Sequence, residues 1–429
     1  MMTKSPYFRG IRDYLDEIPI IETHEHHRGQ IEPVFDILSF IVDNYYQSDL
    51  ISSSIRANEA FITLSDCRLP FEERYPLFEA LFEKSCHTAY AKAMRTGLSA
   101  CWGIDQLNAA SLHELEERFK QRDQAFFDSI MQKNKIKAFI ADVDLFSLIS
   151  HPDQGWSELC RFAFPLPDYH HIRKAEDIHR FETQFGNRIT SLDDYLLGFE
   201  QYLKRCIDFG IVCIKDQTAY RRIIHYEKPS RSDAEKIFSY LLTHPRDLIG
   251  EEQARILDDW LFHYFICLAA KYELPVQIHT GHLAGIRNDI VKANAVHLTS
   301  VLELYSQVPF DLFHGNWPYM GELLFLGKNY PNVTLDLCWV HAIDPLYAVE
   351  LMKRALVTIP HQKIMAFGGD TTQPEWSIGY LIQAKDNVAV ALSDMIDCGW
   401  IGVSDARLIA KDWFFNNPNH LFKLCLQPA

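Results

Sequence analysis

What most constrains this chain is a recurring unit: a short apolar run, several of them closed by a histidine, lysine or aspartate, then usually a segment of helical period. The runs occupy residues 19–23, 136–143, 160–166, 211–215, 275–279, 310–314, 333–337 and 363–368. The later ones are almost continuously apolar, as parallel strands covered on both faces must be. Helices are expected between most of them. The clearest spans 191–209, with Ser191 as N-cap, Asp193 and Asp194 in its first turn and Gly210 just past its end. Others are expected at 232–243, 251–271, 293–306, 319–328, 345–356, 376–398 and 404–415, and a short amphipathic helix at 7–18 leads into the first strand. Eight strand–helix units predict an α/β fold, a TIM (β/α)8 barrel. The runner-up, an open doubly wound sheet, lacks its phosphate-binding GxGxxG turn.

Between the first two strands, residues 30–135 contain no convincing strand. Helices are expected there at 32–44, 74–85, 89–96 and 113–134, punctuated by Pro70, Gly97 and Gly103. With no Gly/Ser- or Pro-rich linker at either edge, this stretch reads as a mainly helical insertion in one barrel domain spanning 1–429. A length of 429 residues allows that, because such barrels tolerate large insertions.

Composition excludes several function classes. Hydrophobic residues make up 48%, enough for a large core. The net charge of −15 opposes a nucleic-acid surface, which needs cationic side chains to displace counterions. The N-terminal Met1 to Gly10 is polar and lacks a signal core, and no run is long enough to span a membrane. The ten cysteines show no CxxC pair. A cytoplasmic protein with reduced thiols is expected, with Cys213 and Cys338 as core filler. A small-molecule substrate is the expected partner, without nucleic acid or membrane, and self-association into a homo-oligomer stays open.

The chemistry concentrates at strand ends. His24 and His26 follow the first run at i, i+2, so in extended backbone they share one face while Glu25 turns to the other. Lys215 closes the fourth run, His279 the fifth and His314 the sixth, and Asp370 follows the eighth. All C-terminal strand ends of a barrel meet at one mouth. Residues from opposite ends of the chain therefore converge there, and their types suit a borderline divalent ion such as zinc. Such an ion lowers the pKa of bound water from about 15.7 to about 7, and a carboxylate beside it can relay the proton.

These motifs, His24-x-His26, His279, His314 and Asp370, resemble those of the amidohydrolase superfamily of metal-dependent barrel enzymes. The resemblance runs over roughly 19–424 outside the insertion and looks closest to the amidohydrolase-2, or amidohydrolase-related, branch. Gln277-Ile278-His279-Thr280-Gly281, Ile214-Lys215 with Ala219-Tyr220-Arg221, and the closing Phe415-Asn416-Asn417-Pro418-Asn419-His420-Leu421-Phe422 are similar to the amidohydrolase domain joined to glutamine-synthetase-like proteins. The resemblance implies that His24, His26, His279 and Asp370 hold a divalent metal, zinc or else manganese, and that Asp370 takes a proton from water. It implies that His314 is either a second-metal ligand or a polarising group. Lys215 is either carboxylated to bridge two ions or an ammonium that binds a substrate carboxylate, so one or two ions are implied. Glu22 stands where many relatives have aspartate.

Arg28, after the metal histidines, and Arg221, after the fourth strand, are candidates to hold a substrate carboxylate. Trp317 and Trp339 are candidates to line the pocket, with His282 and Arg287 as further loop candidates. The leading expectation is a metal-dependent hydrolase cutting a C–N or C–O bond of a small, carboxylate-bearing molecule. The alternatives are a non-hydrolytic relative, a decarboxylase or a uronate isomerase, and a catalytically silent barrel used for binding. The large insertion favours the isomerase, but His314 is a departure from that group. The complete ligand set opposes the silent barrel.

Overall fold

The computed structural model describes residues 5–427; residues 1–4 of the polar N-terminal stretch lie outside them. Eight strands form one parallel sheet in sequence order: β1 Ile20–Glu25, β2 Ile136–Asp142, β3 Cys160–Pro165, β4 Ile211–Asp216, β5 Val276–Ile278, β6 Phe310–Leu312, β7 Val333–Asp336 and β8 Ile364–Met365. The expected barrel is therefore the fold. Its last seam is made just beyond the short β8. Thr23 N–H donates to Phe367 O (3.0 Å), Asp370 N–H to His24 O (2.9 Å) and His26 N–H to Thr371 O (2.8 Å). The first strand thus hydrogen-bonds directly to the segment that follows the last.

The barrel interior is layered. At the bottom, Ile140, Ala163, Cys213 and Met365 pack on Phe422, and Ile21 and Ala138 on Phe415, so the C-terminal segment plugs the barrel. Above lies a polar layer. Gln277 Nε2 donates to Thr23 O (3.0 Å) and Asp311 Oδ2 (3.1 Å), and Asp311, Asp336 and Lys215 are buried. The site residues sit on top, where the strands end.

Between β1 and β2 the described residues are helical and irregular, without a strand. The helices differ in detail from those expected. The 32–44 segment is helical only over Ile37–Val42, where Asp36 caps the start by accepting from Ser39 N (3.1 Å). The 113–134 segment is two helices, Ala109–Phe119 and Gln124–Lys133, because Asp123 caps a new start at Phe126 N (2.9 Å). Gln47–Ser52 and Ala57–Leu64, too short to carry a periodic signal, were not expected. Gly97 does not interrupt a helix: Ala89–Trp102 runs through it. A Cβ there would sit 2.2 Å from Glu375 O, and one at Gly379 would sit 2.1 Å from Ala93 O. The two glycines let this helix pack backbone to backbone on Pro374–Asp397, the helix after β8. Arg122 and Glu375 form a buried ion pair (2.7 Å) across the same junction. Downstream, 293–306 is α-helical only over Thr299–Leu304, after two 3-10 turns. No described helix is long and apolar enough to cross a membrane.

Candidate metal centre

His24 and His26 leave β1 on one face, their ring centroids 5.0 Å apart and perpendicular. His24 is fully buried; the His26 side chain is about one-third exposed (33%) at the mouth. Both reach Asp370: His26 Nε2 lies 3.0 Å and His24 Nε2 3.6 Å from Oδ1. From the turn after β6, His314 Nε2 lies 3.8 Å from Asp370 Oδ2 and 3.1 Å from His279 Nδ1. The sequence-predicted histidines and aspartate are therefore linked by short contacts at the barrel mouth.

Hydrogen bonds on the outer edges of the rings select which nitrogen faces inward. His279 Nε2–H donates to His282 O (2.6 Å) and His314 Nδ1–H to Cys338 O (3.1 Å). Each outer nitrogen then carries the proton, and the two facing nitrogens present bare lone pairs to one another. Both ring nitrogens of His24 are buried without a hydrogen-bond partner among the described residues, the 3.6 Å approach of Nε2 to Asp370 apart. Burial, reinforced by the Lys215 charge, pushes His24 well below the ordinary histidine range and His279 down to about 3. Burial and the neighbouring His279 do the same to His314. His26 differs. Burial opposes its charge, but the hydrogen bond and charge of Asp370 prevail and raise it to about 9. Neutral imidazoles at His24, His279 and His314 beside a carboxylate, the first with neither ring nitrogen hydrogen-bonded, fit a divalent cation.

Lys215 is buried and points its Nζ at the face of Phe313, 3.6 Å from the ring centroid. It has no hydrogen bond or ion pair among the described residues. Of the proposed substrate residues, Arg28 donates to Gln154 Oε1 (2.9 Å), and Arg221 pairs with Asp168. Trp317 stacks edge-on against His282 (5.3 Å) and donates to Asp344 Oδ2 (3.3 Å). Trp339 lies 5.1 Å from His314 and 4.9 Å from His282. Arg287 lies on the exposed turn after His282.

Two cavities flank the centre. One of about 380 Å³ opens between β1 and β4 and is lined by His26, Asp142, Asp168, Tyr169 and Gln217. The other, about 150 Å³, lies beside Asp370 and is lined by Asn44, Tyr45 and Gln47 of the insertion with Thr371, Trp376 and Tyr380. Sequence reasoning missed Asp142 and the insertion residues. Asp142 closes β2, and its carboxylate clusters with His24 and His26. The strand-end rule that found the histidines would have found it. Nothing in the local sequence marks Asn44, Tyr45 or Gln47.

Behind β1, which carries a register shift between Glu22 and Glu25, both of these side chains reach Ser377. Ser377 Oγ is 2.9 Å from a carboxylate oxygen of each. Burial raises Glu22 to about 8, and burial with the neighbouring Glu22 raises Glu25.

Comparison with known proteins bears out the family resemblance. An amidohydrolase family model, of the amidohydrolase-2 branch, matches residues 240–416, which hold His279, His314 and Asp370. Protein fluG of Emericella nidulans is 28% identical over 230 residues, 52% of this chain. The match spans only 26% of that protein's length. Among solved structures, glucuronate isomerase from Caulobacter crescentus superposes with a TM-score of 0.75 at 18% identity, over 98% of this chain and 95% of that one. A candidate metal-dependent hydrolase from Lactobacillus casei gives a TM-score of 0.67 at 14% identity, over 96% and 97%. At these identities the structural likeness is one of fold.

Proposed function

We propose that this amidohydrolase-superfamily barrel is a metal-dependent hydrolase that cuts a C–N or C–O bond in a small, carboxylate-bearing molecule. One observation carries the reading: His24 and His26 from β1 and His314 from beyond β6 lie 3.0 to 3.8 Å from Asp370, and His279 from beyond β5 lies 3.1 Å from His314, the facing nitrogens of that last pair unprotonated. His24, His26, His279 and Asp370 would hold the ion, zinc or else manganese by ligand type. Such an ion, when bound, supplies Lewis acidity and a water of lowered pKa. Asp370 takes the proton of the attacking water on a carboxylate oxygen and returns it to the leaving group. His314, held by Cys338 O, presents its bare Nε2 toward Asp370 and His279.

Lys215 reads as an ammonium rather than a bridging carbamate. A π-face attracts a cation and repels an anion. Burial, with the neighbouring Asp336, raises Asp311, burial raises Asp336 to about 7, and the Lys215 charge opposes both shifts. A carbamate would set a further buried negative charge against these carboxyls in place of the opposing one. A single ion follows, with Lys215 free to meet the substrate carboxylate. Labelling with ¹³C-bicarbonate tests this: no carbamate resonance is expected, and one that vanishes in Lys215→Met would reverse the assignment.

A second reading, isomerisation of a uronate, is supported by the insertion residues beside Asp370 and by the glucuronate isomerase likeness covering 98% of the chain. Metal analysis of protein purified without chelator, then a panel of amides, lactones, aromatic carboxylates and uronates, decides between them. Ammonia or new acid is the expected product. A ketose would select the isomerase and CO₂ a decarboxylase. Less than about half an equivalent of metal in active protein would end the metal reading.

A further inference from the structure

Asp370 has a left-handed backbone, φ 55°. Residues with a Cβ adopt that conformation at a cost and keep it only where the surroundings over-determine it. Here the constraint comes from the residue between the two β1 histidines. Gly369 N–H donates to Glu25 Oε1 (2.8 Å) and Thr371 N–H to Glu25 Oε2 (2.9 Å), so one carboxylate grips the peptide on each side of Asp370. Thr371 Oγ1 adds a bond to Oε2 (3.0 Å). On the same strand, His24 O accepts from Asp370 N, and His26 N donates to Thr371 O. The approach is close enough to need glycine. A Cβ on Gly369 would lie 2.3 Å from Glu25 Oε1, and one on Gly368 2.8 Å from His24 N.

We infer that Glu25 is a positioning residue that locks the Asp370 carboxylate onto the axis of His24 and His26. The inference rests on the metal-site reading above. Alternation along β1 makes it possible: the histidines face the mouth while the residue between them faces the loop carrying the fourth ligand. First- and last-strand ligands then move as one unit, although 344 residues separate Glu25 from Gly369. Carboxamide in place of carboxylate would aim an N–H at one of these donors and push the loop away.

The test uses cobalt-loaded full-length protein, read by the Co²⁺ visible spectrum and by chelator competition. Wild type is expected to show a ligand-field spectrum. Glu25→Gln should shift that spectrum and weaken Co²⁺ about ten- to a hundredfold, the usual effect of losing a partner that orients a ligand. Thr371→Val, which removes only the hydroxyl donor, should fall between the two and covers the case in which Glu25→Gln does not fold. Ser377→Ala removes a contact to the same carboxylate from outside the loop and should leave the spectrum unchanged. Wild-type affinity and spectrum in both Glu25→Gln and Thr371→Val would overturn the clamp alone, as would a Ser377→Ala change equal to that of Glu25→Gln. Wild type that binds no Co²⁺ would overturn the metal site and the clamp together.

Discussion

At the scale of single residues, the proposal turns on Asp370. Its carboxylate touches His24, His26 and His314, and its hydrogen bond and charge, with a smaller contribution from Asp142, raise His26 to about 9 against burial. Asp370→Asn preserves shape and removes that charge. Turnover is expected to fall at least about a hundredfold, the scale of a lost general base, with the far-ultraviolet circular dichroism unchanged. In the metal-free variant only the weaker Asp142 charge still opposes burial, so His26 should titrate well below about 9 by NMR. A His26 that still titrates near its wild-type value would show that another group holds its proton.

At the scale of elements, the turns after the strands aim the ligands, and several are pinned by buried polar groups. His341, in the short helix Val340–Ile343 after β7, donates from Nε2 to Ala366 O (2.9 Å) and accepts at Nδ1 from Asn387 (3.1 Å). Burial lowers its pKa from 6.5 to about 4. A depressed histidine stabilises the fold above its unfolded pKa. That contribution is lost as pH falls, because only the unfolded chain takes up the proton. The stability gap between wild type and His341→Gln should therefore narrow by about 1.4 kcal/mol per unit from pH 6.5 towards about 4 in urea unfolding. A gap independent of pH would refute this. The Gly97–Gly379 contact makes a second element-scale prediction. Gly97→Ala forces a methyl to within 2.2 Å of Glu375 O, and should cost about 1–3 kcal/mol despite alanine's better helix propensity. A higher melting temperature in Gly97→Ala would contradict the packing.

At the scale of the molecule, the insertion and the barrel meet where the cavity beside Asp370 forms. The Arg122 guanidinium lies over the contacting Phe40 and Phe119 rings and reaches Glu375 Oε2 and Gln373 Oε1, tying the insertion to the start of the helix after β8. Arg122→Ala leaves Glu375 buried and unpaired, and should destabilise by about 3–5 kcal/mol in chemical denaturation. Arg122→Met with Glu375→Leu should recover most of that loss. A single variant as stable as wild type would mean that the junction is held elsewhere. Metal loading provides a check on the whole centre. Zinc at a hundred times its dissociation constant should stabilise the fold by about 2.7 kcal/mol, visible as a higher melting temperature.

Much of this was determined by the sequence alone. Hydrophobic period and strand length are local properties, so all eight strands could be placed from residue order, and with them the barrel. His24, His26, His279, His314 and Asp370 were legible for the same reason: each follows a short apolar run, and barrel topology brings such ends together. Asp142 was equally legible but passed over. Other features had no local signal. Whether Gly97 breaks a helix or packs one depends on Gly379, far along the chain. That Glu22 reaches Ser377 on the same side as Glu25, against strict alternation, goes with a register shift against β2. Tyr45 and Gln47 reach the site only because the insertion folds back over β8. Tertiary structure alone decided these, because each depends on a partner hundreds of residues away and no short-range periodicity encodes it.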